Sequence, residues 1–258
     1  MEILLTNDDG IDAVGIRVLY ERLSEVADVT VVAPIDDQSA VGRQLSRDIE
    51  LLERERGYAV EGTPADCVVT GLKALEIDPD LVVSGCNQGA NLGEYVLGRS
   101  GTVSAAVEAA FFGVPAIAAS VYFPAGDIDI DFEEFTANPD HFATGARAVR
   151  HLVEHAPDAG VFETADYLNV NAPIPPEDGP ASMEITRPSR VYEMDAERDG
   201  NTVRIRDRIW GLMATGDVSD PPGTDRRTVL EGRVSVSPLK APHTTTEHDA
   251  LSGLVSSY

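Results

Sequence analysis

Short apolar runs alternate with helix-like stretches along the chain as far as Pro173. EILLT, residues 2–6, is typical of a buried strand, and GIRVLYERLSEV, residues 15–26, repeats its apolar residues at the spacing of one helical face. Helix-like stretches also separate the further strand-like runs DVTVVAP, DLVVSG, PAIAASVY and YLNVNAP. This alternation predicts an α/β fold, in which a largely parallel sheet carries connecting helices on both of its faces.

The pattern changes after Pro173. Pro, Asp and Gly there separate short extended pieces such as TVRIRDRIW and RTVLEGRVSVSPL, which favours hairpins over strand–helix–strand units. We therefore expect one domain over residues 1–258, with a core over residues 1–173 and a C-terminal hairpin region over residues 174–258. We also predict an amphipathic helix within Phe135–His155 and a short helix in the final EHDALSGLVSSY.

Acidic residues dominate the charge of the chain. It has 44 Asp and Glu against 20 Lys and Arg, a formal net charge of -24, and its only lysines are Lys73 and Lys240. This charge argues against nucleic acids and anionic membranes as partners. An acidic, lysine-poor surface is typical of a protein in concentrated salt, which screens the repulsion between carboxylates. We therefore hypothesise a high-salt cytoplasm; an ordinary acidic protein is the alternative.

The sequence shows no sign of export or of a membrane span. The N-terminal MEILLTNDDG lacks the basic and apolar regions of a secretory signal, and the spacing of Cys67 and Cys86 is not that of a metal site. Glu108 and a Gly-Val-Pro break divide the apolar run Ala105–Phe123 into a core helix and a core strand, each too short to cross a bilayer. The cytoplasm is therefore the expected location.

Polar side chains gather where three predicted strands end. Ligands of an open α/β sheet bind beyond the carboxyl ends of its strands, and these positions hold Asn7, Asp8 and Asp9; Gln38 and Ser39; and Ser84, Asn87 and Asn91. All are hard oxygen donors, which suit magnesium, calcium or manganese better than zinc. A backbone turn at Gly10 would bring both adjacent aspartates onto one cation. The alternative is a simple turn that caps a helix.

The third of these loops leads into a predicted anion site. Ser100, Gly101 and Thr102 precede an alanine-rich helix, whose first N–H groups are suited to phosphate. A phosphate there, facing a cation on the aspartates, is an arrangement for phosphoester hydrolysis, and simple helix capping is the alternative. HLVEH, residues 151–155, matches a zinc-peptidase pattern, but its place at a helix end favours an interaction of the histidines with the helix dipole.

Four segments in the right order resemble the SurE family, the stationary-phase survival protein and 5'-nucleotidase: ILLTNDDGIDAVGI, VVAPIDDQSAVG, VEGTPADCV, and DLVVSGCNQGANLGE through SGTVSAAVEAA. The resemblance implies a Rossmann-like, three-layer α/β/α fold with a C-terminal β-hairpin excursion, and a homodimer or homotetramer. It implies metal-dependent hydrolysis of nucleoside monophosphates, with Asp8 and Asp9 as the catalytic pair. It also implies one divalent cation per subunit, magnesium or manganese, on Asp8, Asp9, Ser39 and Asn87, and a phosphate beside Asn91, Ser100, Gly101 and Thr102.

The chain departs from the family pattern in three places. NLGEYVLGRSGT is one residue longer than usual and has Gly98 and Arg99 before its serine. Ala40 stands where glycine is frequent, and Cys86 stands where isoleucine is usual. Two interpretations of Arg99 are open, a further phosphate contact or a response to the acidic surface.

The expected activity is a phosphomonoesterase for nucleoside 5'-monophosphates, with 3'-monophosphates as further candidates. Two routes are open: a water activated by the cation, or attack by Asp8 through an aspartyl-phosphate. The rival hypotheses are a nucleotide-binding stress sensor without turnover and a phosphatase for polyphosphate or sugar phosphates.

Overall fold

The computed structural model describes residues 1–124, 135–177, 179–241, 243 and 255. Its strands are β1 (Glu2–Thr6), β2 (Asp28–Pro34), β3 (Leu51–Arg54), β4 (Gly57–Val60), β5 (Leu81–Gln88), β6 (Ala116–Tyr122), β7 (Tyr167–Pro173), β8 (Met183–Ile185), β9 (Met194–Asp199), β10 (Thr202–Asp207) and β11 (Val234–Leu239). Its α-helices are α1 (Val14–Leu23), α2 (Pro64–Val69), α3 (Glu94–Leu97), α4 (Gly101–Phe111), α5 (Ala143–His155), α6 (Ile209–Thr215) and α7 (Asp225–Leu230). A π-helical turn, Thr70–Ala74, continues α2, and 3-10 helices span Pro139–Phe142 and Val161–Glu163.

One large sheet organises the fold. Its order is β3-β4-β2-β1-β5-β6-β7-β11-β8, and the strands from β4 to β7 in this order are all parallel. The edge strand β3 is antiparallel to β4, and β11 is antiparallel to β7. From β1 the chain passes to β2, which pairs with one edge of β1, whereas β5 pairs with the opposite edge of β1. This reversal of strand order places a ligand crevice beyond the carboxyl end of β1.

Helices cover both faces of the sheet and give three layers. In β1, Ile3 and Leu5 belong to the apolar cluster beneath α1 and α5, whereas Leu4 belongs to the cluster beneath α2 and α4. This division follows from the twofold alternation of side chains along a strand. The predicted Rossmann-like α/β fold is confirmed.

Close packing brings α1 against the centre of the sheet. A Cβ atom on Gly15 would lie 1.8 Å from the carbonyl oxygen of Cys86 in β5, so only glycine fits there. Helix α2 begins at a capped residue, because the Thr63 hydroxyl accepts from the Asp66 N–H while the Asp66 carboxylate accepts from the Thr63 N–H. The Gly15 contact fixes α1, the helix that follows the two adjacent aspartates.

Two local predictions were wrong. The start of RTVLEGRVSVSPL was predicted as extended, yet Asp225–Leu230 is the helix α7, because packing against β7 and β11 outweighs its local pattern. The loop predicted from Cys86 onward instead continues β5 as far as Gln88, which pairs with Val121 of β6. The predicted hairpin is present as β9 and β10. The final EHDALSGLVSSY lies outside the described residues except for residue 255.

Strands β8 and β11 return the chain after Pro173 to the main sheet. The run Ala105–Phe123 forms α4 and β6, as expected for core elements. In the described part of the chain, no helix is both long enough and apolar enough to cross a membrane. The division of the domain at residue 173 stays a prediction.

Candidate active site

The two adjacent aspartates lie in the crevice beyond the end of β1. The backbone carbonyl of Asp8 accepts a hydrogen bond of 2.7 Å from the Gln38 N–H, which ties the loop after β2 to the loop after β1. The Asp9 carboxylate accepts a bond of 2.9 Å from the Gln88 N–H at the end of β5. The structure thus joins the loops after β1 and β2 to the end of β5, segments that are about 30 to 80 residues apart in sequence, as expected for the carboxyl edge of a parallel sheet.

Asp8 is buried against the start of α4. Only 3% of its surface is exposed, and its Oδ1 atom accepts a bond of 2.6 Å from the Thr102 hydroxyl. The Thr102 backbone N–H also donates to this carboxylate. A Cβ on Gly101 would lie 2.7 Å from the Asp8 Cβ, so the glycine makes room for the acid. Burial raises the pKa of Asp8, and the two bonds from Thr102 partly oppose that rise.

Asp9 is strongly coupled to its neighbour. Burial first, and then the negative charge of Asp8, raise the pKa of Asp9 to about 7, while the Gln88 N–H acts in the opposite direction. The two carboxylates at adjacent positions, Asp8 buried and Asp9 half-buried, repel each other when both are ionised. A divalent cation between them would remove that repulsion, so this pair fits a cation.

A cavity of about 470 Å³ opens beside the pair. Five of the predicted site residues line it: Asp8, Ser39, Asn87, Asn91 and Ser100. Asp9, Gly101 and Thr102 do not line the cavity. Thr102 is fully buried and faces Asp8, and the Ser100 hydroxyl caps α4 by accepting from the Val103 N–H. The structure therefore uses much of the predicted phosphate-binding helix start to hold Asp8.

The donor set suits a hard cation. The Ser39 hydroxyl donates to Asp37 at 2.6 Å, which leaves the lone pairs of its oxygen for a metal. The Asn87 amide nitrogen donates to the carbonyl of Gly89, so the Oδ1 atom is the side of that amide left for a ligand. The described residues hold no group of three or more His, Cys, Asp or Glu placed for a metal. Two carboxylates with neutral oxygens and retained waters are typical of magnesium sites.

The sequence did not indicate the residues that hold Asn91. The Asn91 N–H donates to the Asn171 side chain at 2.7 Å, and its carbonyl accepts from both Asn169 and Asn171. The Asn91 side chain donates to Ser120 at 2.9 Å. The signal was present in YLNVNAP, where two asparagines two residues apart share one face of a buried strand. These bonds fix the cavity wall beside Asp8.

The C-terminal region also contributes to the cavity. Met194, Ile205, Asp207 and Trp210, which belong to the β9–β10 hairpin or directly follow it, line its outer part. No local motif identifies these residues. Their position depends on contacts between segments that are about one hundred residues apart, which sequence pattern alone does not reveal.

The zinc pattern at residues 151–155 is not part of the site. His151 and His155 are exposed on α5 with their rings stacked at 4.4 Å, and the Nδ1 atom of His155 bonds to the carbonyl of His151. Neither histidine lines the cavity that contains Asp8. The interpretation as surface histidines near a helix end fits this placement.

Comparison with known proteins identifies the family. The family model "Survival protein SurE" matches residues 3–195. The chain belongs to the SurE family. Among curated relatives of the SurE family, a protein from Natronomonas pharaonis named 5'-nucleotidase SurE is 73% identical over the whole of both chains. A protein of the same name from Haloarcula marismortui is 61% identical and covers 99% of this chain and 94% of its own.

A solved SurE structure shows the same fold. The SurE protein from Aquifex aeolicus has a TM-score of 0.78 and 32% identity, over 99% of this chain and all of that one. The halophilic sources of the two curated relatives fit the acidic, lysine-poor composition of this chain.

The aspartate pair predicts that the benefit of a cation grows with pH. The pKa of Asp9 without metal is about 7, above its ordinary 3.8, so the folded chain retains a proton that the unfolded chain loses. This contribution to stability is fully present below about pH 4 and is lost as pH rises through about 7, by about 1.4 kcal/mol per pH unit while only the unfolded state is ionised. The melting temperature in excess EDTA, compared with magnesium chloride, should show a gap that widens from about pH 5 to pH 8. A gap independent of pH would contradict the prediction.

Thr102 predicts a test of how Asp8 is oriented. Thr102→Val removes the hydroxyl that donates to Asp8 at 2.6 Å but keeps the volume of the side chain. We expect cation affinity to fall by about tenfold to a hundredfold, since a group that orients a metal ligand has effects of this size. Thr102→Ser keeps the donor and should bind magnesium nearly as the wild type does, in calorimetric titrations of both variants. Equal loss in the two variants would mean that packing, and not the hydrogen bond, matters at this position.

Proposed function

We infer that the chain is a metal-dependent 5'-nucleotidase, which hydrolyses nucleoside monophosphates to nucleoside and phosphate. The observation that carries this conclusion is the buried Asp8 at the wall of a cavity with Asp9 beside it, in a chain that is 73% identical to a protein named 5'-nucleotidase SurE. The cavity volume of about 470 Å³ lies in the range of small-molecule sites. A pure nucleotide sensor does not need two carboxylates whose charge only a cation can offset.

The finer assignment concerns the cation. We propose one magnesium or manganese ion per subunit, bound by Asp8, Asp9, Ser39 and Asn87. When bound, such an ion polarises a phosphoryl oxygen and lowers the pKa of a water molecule. The role of the chain is to hold the ligands: Thr102 orients Asp8, and the backbone of Gln88 orients Asp9.

The phosphate is assigned to the region between this cation and the start of α4. Asn91 and Ser100 line the cavity there, and Gly101 and Thr102 are the first residues of α4, directly after Ser100. The Thr102 hydroxyl already holds the Asp8 Oδ1 atom, which favours a ligand role for Asp8 over attack on phosphorus. Acid quenching of a single turnover with radioactive nucleotide should therefore leave no label on the protein. Labelled protein would instead establish an aspartyl-phosphate.

A test of the function is phosphate release from a panel of nucleoside 5'- and 3'-monophosphates in molar potassium chloride. Release should depend on magnesium or manganese and stop in EDTA. Sugar phosphates and polyphosphate in the same panel separate the rival phosphatases. Tight nucleotide binding without release from any of these substrates would support the sensor and overturn the hydrolase.

The exposed hairpin β9–β10 supports a proposal on assembly. Ile205 is 70% exposed and Val203 is 55% exposed, although both are apolar and lie on one strand. We propose that this hairpin pairs with a second copy of the chain, in a homodimer or homotetramer. Light scattering of Ile205→Asp in molar potassium chloride should show a smaller particle than the wild type.

The cytoplasmic location that the sequence led us to expect stays a prediction.

A further inference from the structure

Arg99 is the one basic side chain that lines the cavity in the part of the chain that the structure describes. It directly precedes Ser100, in the segment where this chain departs from the usual family pattern. Its carbonyl accepts a bond of 3.1 Å from the Gly42 N–H, which connects it to the loop that carries Ser39. Arg99 therefore lies between two segments assigned to the cation and the phosphate.

Tyr95 fixes the orientation of the Arg99 side chain. The guanidinium lies 3.9 Å from the centre of the Tyr95 ring, and its Nη2 atom donates to the Tyr95 hydroxyl at 2.8 Å. Its Nη1 atom also donates to the Tyr95 carbonyl at 3.4 Å. Stacking uses the flat face of the guanidinium, so the N–H groups that do not bond to Tyr95 remain along its edge for a ligand. Tyr192 also stacks on Tyr95, at 5.0 Å, so this ring has little surface left for a nucleoside base.

The charge of Arg99 is not balanced by a described carboxylate. No Asp or Glu in the described ranges lies within 4.0 Å of its nitrogen atoms, whereas nearby Arg190 pairs with Glu94 at 2.9 Å. The cavity itself contains the carboxylates of Asp8 and Asp207. A phosphate dianion that approaches this wall, on a chain of net charge -24, meets repulsion that only a cation can offset.

We propose that Arg99 binds the phosphate group of the substrate and of the product. The proposal rests on the function inferred above, and it adds a ligand that belongs to this chain and not to the usual family pattern. The sequence left two interpretations of Arg99 open, and the proposal selects the phosphate contact over a response to the acidic surface. The contact is a charge-assisted bond from an exposed side chain, so concentrated salt weakens it without abolishing it.

The test measures phosphate binding apart from hydrolysis. Equilibrium dialysis of radioactive inorganic phosphate, with magnesium present, compares the wild type with Arg99→Gln, Arg99→Lys and Arg190→Gln at low and at molar potassium chloride. We expect Arg99→Gln to bind phosphate about threefold to tenfold more weakly, with the larger loss at low salt. Arg99→Lys keeps the charge and should have an affinity between those of the wild type and Arg99→Gln, and Arg190→Gln should match the wild type.

In hydrolysis of AMP, Arg99→Gln should raise KM by a similar factor with little change in kcat.

Two results would overturn the proposal. In one, Arg99→Gln binds phosphate as the wild type does. In the other, Arg99→Gln weakens nucleoside binding and leaves phosphate binding intact, which would place the guanidinium against the base. The two proposals can fail separately. If the wild type hydrolyses no monophosphate, but Arg99→Gln still binds phosphate more weakly than the wild type does, the inferred activity is refuted and Arg99 is supported as a phosphate ligand.

Discussion

Asp8→Asn is expected to lower kcat/KM for nucleoside monophosphates by about a thousandfold while the protein stays folded. The amide has nearly the same volume as the carboxylate but carries no charge, so the proposed cation loses one of its two anionic ligands. It also presents an N–H group to the space where Asp8 now accepts from Thr102. Initial rates with saturating magnesium, measured beside the melting temperature, check both parts of the expectation.

The matched control is Asp12→Asn. Asp12 is exposed and lies four residues further along the chain, so the same chemical change there should leave the rate unaltered. The metal-free proteins offer a second readout. Burial raises the pKa of Asp8, and the charge of Asp8 raises that of Asp9, so removal of this charge relieves both a desolvation cost and a repulsion, and the Asp8→Asn variant should melt at a higher temperature in EDTA than the wild type does. A variant with full activity would remove Asp8 from the proposed site.

The order of the main elements was predictable because local pattern determines it. The strand β1 has its apolar residues on both faces, which is typical of a strand covered by helices on each side. Thr63 and Pro64 likewise determine the start of α2 by their own chemistry, as a helix cap and a first helical residue. Helix α7 was missed because its sequence is compatible with a strand, and only its contacts with β7 and β11 decide between the two.

The candidate site was predictable to a similar limit. Carboxyl ends of adjacent parallel strands meet in space, so the approach of Asp8, Asn87 and Asn91 followed from strand order. Strand order does not reveal which acceptor each N–H group at the start of a helix bonds to. The start of α4 was predicted to bind phosphate, yet in the structure Thr102 donates to Asp8 from both its hydroxyl and its backbone. The Asp8 carboxylate and a phosphate compete for the same donors of Thr102, and the outcome depends on side-chain distances that the sequence does not give.

A buried ion pair in the C-terminal region carries the second large prediction. The side chains of Arg226 and Asp220 are 3% and 0% exposed and lie 2.8 Å apart. Arg226 also donates to the Ser189 hydroxyl and to the carbonyl of Val191. We expect Arg226→Met to lower the free energy of unfolding by about 3–5 kcal/mol, because Asp220 would remain buried without its partner.

Two further variants separate this cause from a general loss of packing. Arg227→Met removes a neighbouring arginine whose pair with Glu231 is exposed, and it should cost less than about 1 kcal/mol. The double variant with Asp220→Leu and Arg226→Met removes both charges and should recover much of the loss, as measured by denaturant unfolding in molar salt. Ser189 and Val191 lead into the hairpin that lines the cavity, so a hairpin freed by Arg226→Met should also raise KM for the nucleotide. If the double variant is as unstable as the single one, the donors to Ser189 and Val191, and not the charge on Asp220, hold this region together.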